Sequence, residues 1–154
     1  MKVHTLKKET FIPASLERVW AYFSSPHNLM EITPRYMNFR VAKCEDVTSI
    51  YKGMLIEYKV SPLLGIALKW VTEITDVQHE QSFIDMQLKG PFSLWEHTHI
   101  FKSVDGGVQM TDIVRYAIPF GIIGSIAHGL FVKRQLNGIF TYRSSVIDRL
   151  FPAG

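Results

Sequence analysis

The sequence predicts an α+β fold in which a curved antiparallel sheet of about six or seven strands wraps a long C-terminal helix. Apolar residues alternate with period two through the middle of the chain, and turn residues separate these runs at short intervals. The C-terminal part changes to helical spacing, and no helix-length segment interrupts the strands. We therefore expect an antiparallel meander that packs against this helix.

Length and composition favour a single domain over residues 1–154, because this length allows one substantial core. Apolar residues make up 47% of the chain and charged residues 20%, as in ordinary globular proteins. Cys44 is the only cysteine, so an intramolecular disulfide is excluded. The N-terminus lacks the apolar region of a signal peptide, and we expect a cytoplasmic protein.

Charge and motifs narrow the class of partner. The net charge of +3 is mild, and the basic residues do not form runs with interleaved aromatics, so we expect no nucleic-acid partner. No window approaches the roughly 18 apolar residues of a membrane span, so we expect no integral membrane segment. Phosphate-binding loops, dinucleotide-binding glycine patterns and zinc-finger spacings are not found, and we expect no cofactor. The sequence is compatible with an oligomer.

The N-terminal region predicts a strand followed by two short helices. Residues 3–12 alternate loosely and end at Pro13, which is typical of an edge strand. Ser15 can cap a first helix, and Ser25 can cap a second with Pro26 in its first turn. The apolar positions of the first helix have i, i+3, i+4 spacing: Leu16, Val19, Trp20 and Phe23.

Period-two runs predict the central strands, and a hairpin follows them. The runs are Phe39–Val41, Met54–Val60, Ile66–Ile74 and Phe83–Leu88. In the hairpin, Asp105-Gly106 is a strong two-residue turn signal. That turn pairs Phe101 with Met110, His99 with Asp112, His97 with Val114 and Trp95 with Tyr116, all on one face. A three-residue loop that includes Gly107 would change this register.

Residues Ile122–Leu150 predict a long helix, preceded by Pro119 at the end of the last strand. Gly124, Gly129 and Gly138 interrupt it, which indicates either close packing or a bend, or room for a ligand beside the helix. Its apolar stripe comprises Val132, Leu136, Ile139, Phe140, Val146, Ile147 and Leu150.

Several short motifs carry a family resemblance. They are Ile12-Pro13, Val19-Trp20, Pro26-His27-Asn28-Leu29, Ile32-Thr33-Pro34, Phe83-x-Asp85, Gly90-Pro91-Phe92, Trp95-x-His97-x-His99-x-Phe101, Thr111-Asp112 and residues 116–121 and 136–143. With these motifs in this order, the chain resembles the helix-grip superfamily of START domains, birch-pollen-allergen-type plant proteins and bacterial polyketide cyclase/dehydrase-like proteins. It is most similar to a bacterial subgroup of ligand-binding domains. The resemblance implies a largely apolar cavity between the sheet and the C-terminal helix that binds an apolar or amphipathic small molecule.

A polar cluster on the inner face of the hairpin is the candidate for chemistry. His97, His99 and Asp112 share this face, and His99 with Asp112 is the pair expected to form a hydrogen bond. Asp85 on the neighbouring strand can join them. Three interpretations stay open: a structural network, contact with a ligand, or acid–base catalysis. Two histidines at i, i+2 can also chelate a metal with Asp112, but no fourth ligand is evident, and we expect no metal.

The candidate ligand-binding residues line the expected sheet–helix interface. Arg143 lies within the apolar stripe, where it either extends to solvent or meets an anionic ligand group or Asp85. The full set is Trp70, Phe83, Asp85, Trp95, His97, His99, Phe101, Met110, Asp112, Tyr116, Leu136, Phe140 and Arg143.

Three functions are consistent with these features. The first is binding, transport or sequestration of a small apolar or amphipathic molecule. The second is a cyclase, aromatase or dehydratase that uses His99 and Asp112 as an acid–base pair, with His97 as a further candidate. The third is a protein-interaction or membrane-associated accessory module, for which residues 62–66 or 120–123 would provide an exposed apolar patch.

Overall fold

The sheet has seven strands in the part of the chain that the structure, a computed structural model, describes: residues 2–34, 37–45, 48–61 and 66–153, with Met30 described by its backbone alone. Its strands are β1 (His4–Ile12), β2 (Arg40–Lys43), β3 (Leu55–Val60), β4 (Leu68–Gln78), β5 (Ser82–Lys89), β6 (Leu94–Val104) and β7 (Gly107–Ala117). The order β1-β7-β6-β5-β4-β3-β2 is antiparallel throughout. The predicted meander is confirmed.

Two short helical segments connect β1 to β2, as predicted. Helix α1 (Leu16–Phe23) begins at Ser15, whose hydroxyl accepts a hydrogen bond from the backbone N–H of Arg18 at 3.2 Å. A 3₁₀ helix then covers Pro26–Met30. Ser25 occupies the N-cap position and Pro26 the first turn, as predicted, but the Ser25 side chain makes no capping hydrogen bond. A 3₁₀ turn this short closes through its own backbone bonds.

The predicted register of the β6–β7 hairpin is confirmed. Val104 pairs with Gly107 around a two-residue turn, and Gly106 has φ +82°, a conformation that glycine adopts without strain. His99 therefore lies opposite Asp112, and Trp95 lies opposite Tyr116. On the other side of β6, Asp85 lies opposite His97. The strand predicted over Ile66–Ile74 begins at Leu68 and continues to Gln78. Glu80, in the turn that follows, has a left-handed backbone conformation with φ +57°.

The C-terminal helix packs on the sheet from His128 onward, where His128 Nε2 lies 2.7 Å from the Tyr116 hydroxyl. It begins as α2 (Gly121–Ala127), passes through a π-helical segment (His128–Val132) and continues as α3 (Lys133–Leu150). The prediction of an uninterrupted α-helix over Ile122–Leu150 is therefore wrong at the π segment, where one helical turn is wider. In α3 the buried face comprises Leu136, Phe140, Arg143, Val146 and Ile147. None of the helices in the described ranges is long and apolar enough to cross a bilayer.

The three glycines of this helix have different surroundings. A Cβ atom at Gly124 would lie 2.1 Å from the carbonyl oxygen of Pro119, so this glycine permits close packing at the start of α2. Gly129 and Gly138 have open space on the corresponding side, with nothing within 4 Å. Close packing therefore explains Gly124, but it does not explain the other two.

Candidate functional site

Two histidines and two aspartates form a crossed network on the face of β5, β6 and β7 that α3 covers. His97 Nε2 lies 2.8 Å from Asp112 Oδ1, and His99 Nε2 lies 2.6 Å from Asp85 Oδ2. Each hydrogen bond joins diagonal neighbours, because His97 is directly opposite Asp85 and His99 is directly opposite Asp112. The two imidazole rings stack with their centroids 3.6 Å apart.

The prediction that His99 forms a hydrogen bond with Asp112 is therefore wrong, because its partner is Asp85. His99 Nδ1 lies 3.5 Å from Asp112 Oδ1, whereas the short contact of this ring is to Asp85. Cross-strand diagonal neighbours are within reach of long side chains. With the two rings stacked, the His97 ring directs its Nε2 toward β7 and the His99 ring directs its Nε2 toward β5.

Arg143 brings a buried positive charge from α3 into the network. Its Nη2 lies 3.5 Å from Asp112 Oδ1, and its guanidinium carbon lies 5.5 Å from the ring centroid of Phe140 and 5.7 Å from that of Phe23. The residue is only 6% exposed, so the interpretation that it extends to solvent is wrong. Its closest carboxylate partner is Asp112 and not Asp85.

The electrostatics favour a neutral His99 between ionised carboxylates. Burial and the neighbouring His97 lower the pKa of His99 to about 4, although Asp85 and Asp112 oppose this shift. Burial raises the pKa of Asp112, but Arg143 and His97 lower it by more, so it lies well below its ordinary value. Burial raises the pKa of Asp85, but the hydrogen bond from His99 and the neighbouring His97 lower it by more.

These protonation states fix the roles of the ring nitrogens of His99. An ionised carboxylate only accepts hydrogen bonds, so His99 Nε2 carries the proton and donates to Asp85. His99 Nδ1 is then an acceptor. Among the described residues, His99 Nδ1 and Arg143 Nε are the buried side-chain atoms without a hydrogen-bond partner. The network therefore presents one unused acceptor and one unused donor inside the protein.

Aromatic side chains border the network at the α2 end of the helix interface. Trp70, Phe92 and Trp95 are half-buried, and their ring centroids lie 4.9–5.7 Å apart. Trp95 contacts Tyr116, and both pack in a cluster with Leu136 and Phe140. Phe92 was not among the predicted site residues, although the Gly90-Pro91-Phe92 motif was a signal that could have indicated it.

Solved structures identify the fold. The chain aligns with protein CV1439 from Chromobacterium violaceum over 98% of its length and 99% of that chain, with a TM-score of 0.73 and 12% identity. It aligns with ginseng major latex-like protein 151 from Panax ginseng over 98% of its length and 99% of that chain, with a TM-score of 0.68 and 14% identity. It aligns with Ara h 8.0201 over 95% of its length and 98% of that chain, with a TM-score of 0.61 and 14% identity.

The chain has the helix-grip fold. The predicted resemblance to the birch-pollen-allergen-like superfamily is confirmed at the level of fold, which is what identities this low establish. No protein-family model and no curated protein matches the sequence.

The helix-grip architecture divides the predicted site residues into two groups. Asp85, His97, His99, Asp112 and Arg143 form the network described above, with Trp70, Trp95, Tyr116, Leu136 and Phe140 at its α2 end. The others lie on the α1 side. Phe83 stacks on His99 with centroids 4.0 Å apart, while Phe101 and Met110 pack in the core with Trp20.

Two described cavities lie away from the histidine–aspartate network. One of about 440 Å³ is bordered by Lys2, His4, Phe120 and Ile122, and one of about 290 Å³ lies beside Pro13 and Gly107. None of the predicted ligand-binding residues borders either cavity, and Leu136, Phe140 and Arg143 are buried between the sheet and α3. The Asp85 side chain is 19% exposed, against 3–7% for those of His97, His99, Asp112 and Arg143, so the network is nearest to solvent at Asp85.

Asp85, His97 and His99 are the described residues that could hold a metal ion, since their ligand atoms lie within 4.8 Å of one another. The ring geometry does not favour this. An imidazole binds a metal along a nitrogen lone pair in the ring plane, and the planes of His97 and His99 are stacked at 23° to each other. Arg143 adds a positive charge nearby. Binding would require at least one ring to turn.

Proposed function

We propose that this protein binds a small amphipathic molecule between the sheet and α3, with the polar group of the ligand held by His99 and Arg143. The observation that carries the proposal is the unused acceptor at His99 Nδ1 together with the unused donor at Arg143 Nε. A buried polar atom without a partner costs about 1–3 kcal/mol. A ligand that satisfies both atoms recovers this free energy on binding.

The charges of the network select a neutral hydroxyl group. A hydroxyl donates its proton to His99 Nδ1 and accepts from the Nε–H of Arg143. A carboxylate would also accept from Arg143, but it would face the lone pair of His99 and the ionised groups of Asp85 and Asp112. Like charges in a buried site repel strongly. We therefore expect alcohols or phenols to bind more tightly than the corresponding acids.

The half-buried aromatic group supplies the apolar part of the site. Trp70, Phe92 and Trp95 offer ring surface next to His97, whose ring centroid lies 6.5 Å from that of Trp95. Ligand sites are mostly apolar, with a few polar atoms that fix orientation. Because Leu136 and Phe140 pack against this region, entry requires α3 or its N-terminal end to move away from the sheet.

The protonation of His99 favours a binding role over acid–base catalysis. A general base acts best when its pKa lies near the working pH. With a pKa of about 4, His99 is neutral at pH 7 and accepts a hydrogen bond, but it is a weak base. A cyclase- or dehydratase-type reaction would need ligand binding to raise this pKa.

The test compares matched probes by thermal shift and native mass spectrometry. We expect 1-naphthol and 1-dodecanol to raise the melting temperature more than naphthalene and dodecanoate do. Arg143→Lys keeps the charge but removes the Nε–H donor, so naphthol affinity should fall about 3- to 10-fold, the value of one hydrogen bond. Arg115→Lys is the matched control, because Arg115 is exposed and pairs with Glu96.

Two results would contradict the proposal. One is the lack of any shift or bound mass with the whole set of probes. The other is equal naphthol affinity in wild type and Arg143→Lys, provided that circular dichroism shows both to be folded. Quenching of the fluorescence of Trp70 and Trp95 gives a second binding signal if the variant has a lower melting temperature.

A further inference from the structure

The helix that follows β7 exposes an apolar face. Six large side chains from the turn before α2 to the end of the π segment are between 59% and 81% exposed: Phe120, Ile122, Ile123, Ile126, Leu130 and Phe131. We call this set the apolar face. Single exposed apolar residues are common on proteins, but a contiguous group of this size indicates a surface that binds something.

The helix geometry gathers four of these side chains on one side. Ile122, Ile126 and Leu130 are spaced four residues apart, and Ile123 lies next to them on the helix surface. Gly124, the buried residue of α2, packs against Pro119 on the opposite side. The helix is attached to the sheet at His128, whose Nε2 lies 2.7 Å from the Tyr116 hydroxyl and whose ring stacks on His4. The side chains of the apolar face remain exposed.

The surroundings of the apolar face are positively charged. The sequence has no Asp or Glu between Asp112 and Asp148, and the exposed residues Lys133 and Arg134 follow the apolar face in this interval. Lys2 borders the 440 Å³ cavity together with Phe120 and Ile122. Burial and the charges of Lys2 and Lys133 lower the pKa of His4. Burial, the neighbouring His4 and the same two lysines lower the pKa of His128. Both lysines therefore lie close to this end of the molecule.

We propose that the apolar face docks on an anionic lipid bilayer, with its side chains in the interfacial region and Lys2, Lys133 and Arg134 near the lipid phosphates. An amphipathic helix of this kind lies in the plane of the interface. Each basic residue near an anionic surface adds about 1 kcal/mol. This proposal is independent of the ligand proposed for the sheet–helix interface.

Charge also decides between a bilayer and a second copy of this chain. Two apolar faces packed against each other would bring Lys2, Lys133 and Arg134 of both copies together. That stretch of sequence contains no acidic residue to neutralise them. Like-charge contacts oppose such a dimer, whereas anionic headgroups complement the same residues.

Vesicle co-sedimentation tests the proposal. We expect the protein to bind vesicles of phosphatidylcholine with a quarter phosphatidylglycerol at 0.1 M salt, and to bind pure phosphatidylcholine or high-salt samples at least 10-fold less. Ile122→Gln/Ile123→Gln should lower binding at least 10-fold. These residues are 81% and 74% exposed, so the fold should survive. Leu55→Gln/Leu88→Gln is the matched control, because both leucines are 55% exposed on strands.

Three outcomes would overturn the proposal: no binding to the anionic vesicles, equal loss in the two double variants, or a dimer in light scattering that Ile122→Gln/Ile123→Gln dissociates. The last outcome would assign the apolar face to a second copy of the chain. Lys133→Gln should weaken vesicle binding and make the binding less sensitive to salt. An unchanged salt dependence in that variant would also contradict the proposed contact with lipid phosphates.

Discussion

His99 and Asp112 are direct partners across β6 and β7, yet His99 Nε2 forms its hydrogen bond with Asp85 at 2.6 Å. Asp112 in turn accepts from His97 and lies 3.5 Å from both His99 Nδ1 and Arg143 Nη2. One carboxylate therefore contacts two side chains of β6 and one of α3. The network links three strands to the helix that covers them, and Asp112 is its centre.

Asp112→Asn should destabilise the fold by about 3 kcal/mol, because it leaves the buried Arg143 without its closest carboxylate. The measurement is urea unfolding at pH 7. Glu96→Gln is the matched control: it breaks the exposed pair with Arg115, which should cost less than about 1 kcal/mol. Similar losses in the two variants would show that Asp112 contributes no more than a surface ion pair.

The protonation of His99 predicts that stability falls in mild acid. The pKa of His99 is about 4 in the folded chain, whereas the ordinary value of 6.5 applies to the unfolded chain. Between these values the unfolded chain binds a proton that the folded chain does not, so the free energy of unfolding decreases as the pH falls from about 6.5 to about 4. The full shift corresponds to about 3 kcal/mol. Asp85 and Asp112, whose pKa values are lowered, lose their stabilising contribution only as the pH falls below 3.8.

His99→Gln removes this titration, so its free energy of unfolding should change less between pH 6.5 and pH 4 than that of the wild type. His27→Gln is the matched control, since His27 is exposed on the 3₁₀ helix, and its profile should parallel the wild type. Urea titrations at several pH values provide the comparison. Parallel profiles for all three proteins would refute the assignment of the acid sensitivity to His99.

Local patterns predicted the hairpin to the residue, but they did not predict how the network is connected. The Asp105-Gly106 turn and the alternation of β6 and β7 determine which residues face each other. Hydrogen bonds between side chains depend on rotamers, and here two stacked rings direct each Nε2 to a diagonal neighbour. The sequence therefore indicates the members of the network and leaves their pairing to the tertiary structure.

The position of the C-terminal helix limits prediction in the same way. The buried stripe of α3 was predicted, and Arg143 falls on it because the helical period places it there. The spacing of Ile122, Ile123 and Ile126 is equally typical of a core helix. Their exposure depends on where α2 lies relative to the sheet, which no local pattern encodes. Of the alternative patch at residues 62–66, residues 62–65 lie outside the described residues, and Ile66 is 60% exposed.

The stacked histidines predict that divalent metals do not stabilise the fold. Their ring planes do not direct lone pairs to a shared point, and His99 Nε2 already donates to Asp85. Stoichiometric Zn²⁺ or excess EDTA should therefore change the melting temperature at pH 7 by less than about 1 °C. A ligand that binds the folded chain at 100 times its Kd would instead raise the free energy of unfolding by about 2.7 kcal/mol. A zinc-dependent rise that disappears in His99→Gln but not in His27→Gln would identify a metal site in the network.

Two glycine-to-alanine substitutions in the C-terminal helix should have opposite effects on stability. Alanine at Gly124 would place its Cβ 2.1 Å from the Pro119 carbonyl oxygen, a backbone atom that moves only with the start of α2, so Gly124→Ala should destabilise by about 1–3 kcal/mol. Gly138 lies in α3 with nothing within 4 Å of the added atom. Gly138→Ala should therefore stabilise by up to about 1 kcal/mol, since alanine loses less backbone entropy in a helix. Urea unfolding at pH 7 measures both effects. If both variants are stabilised, the close contact at Gly124 does not hold α2 to the turn before it.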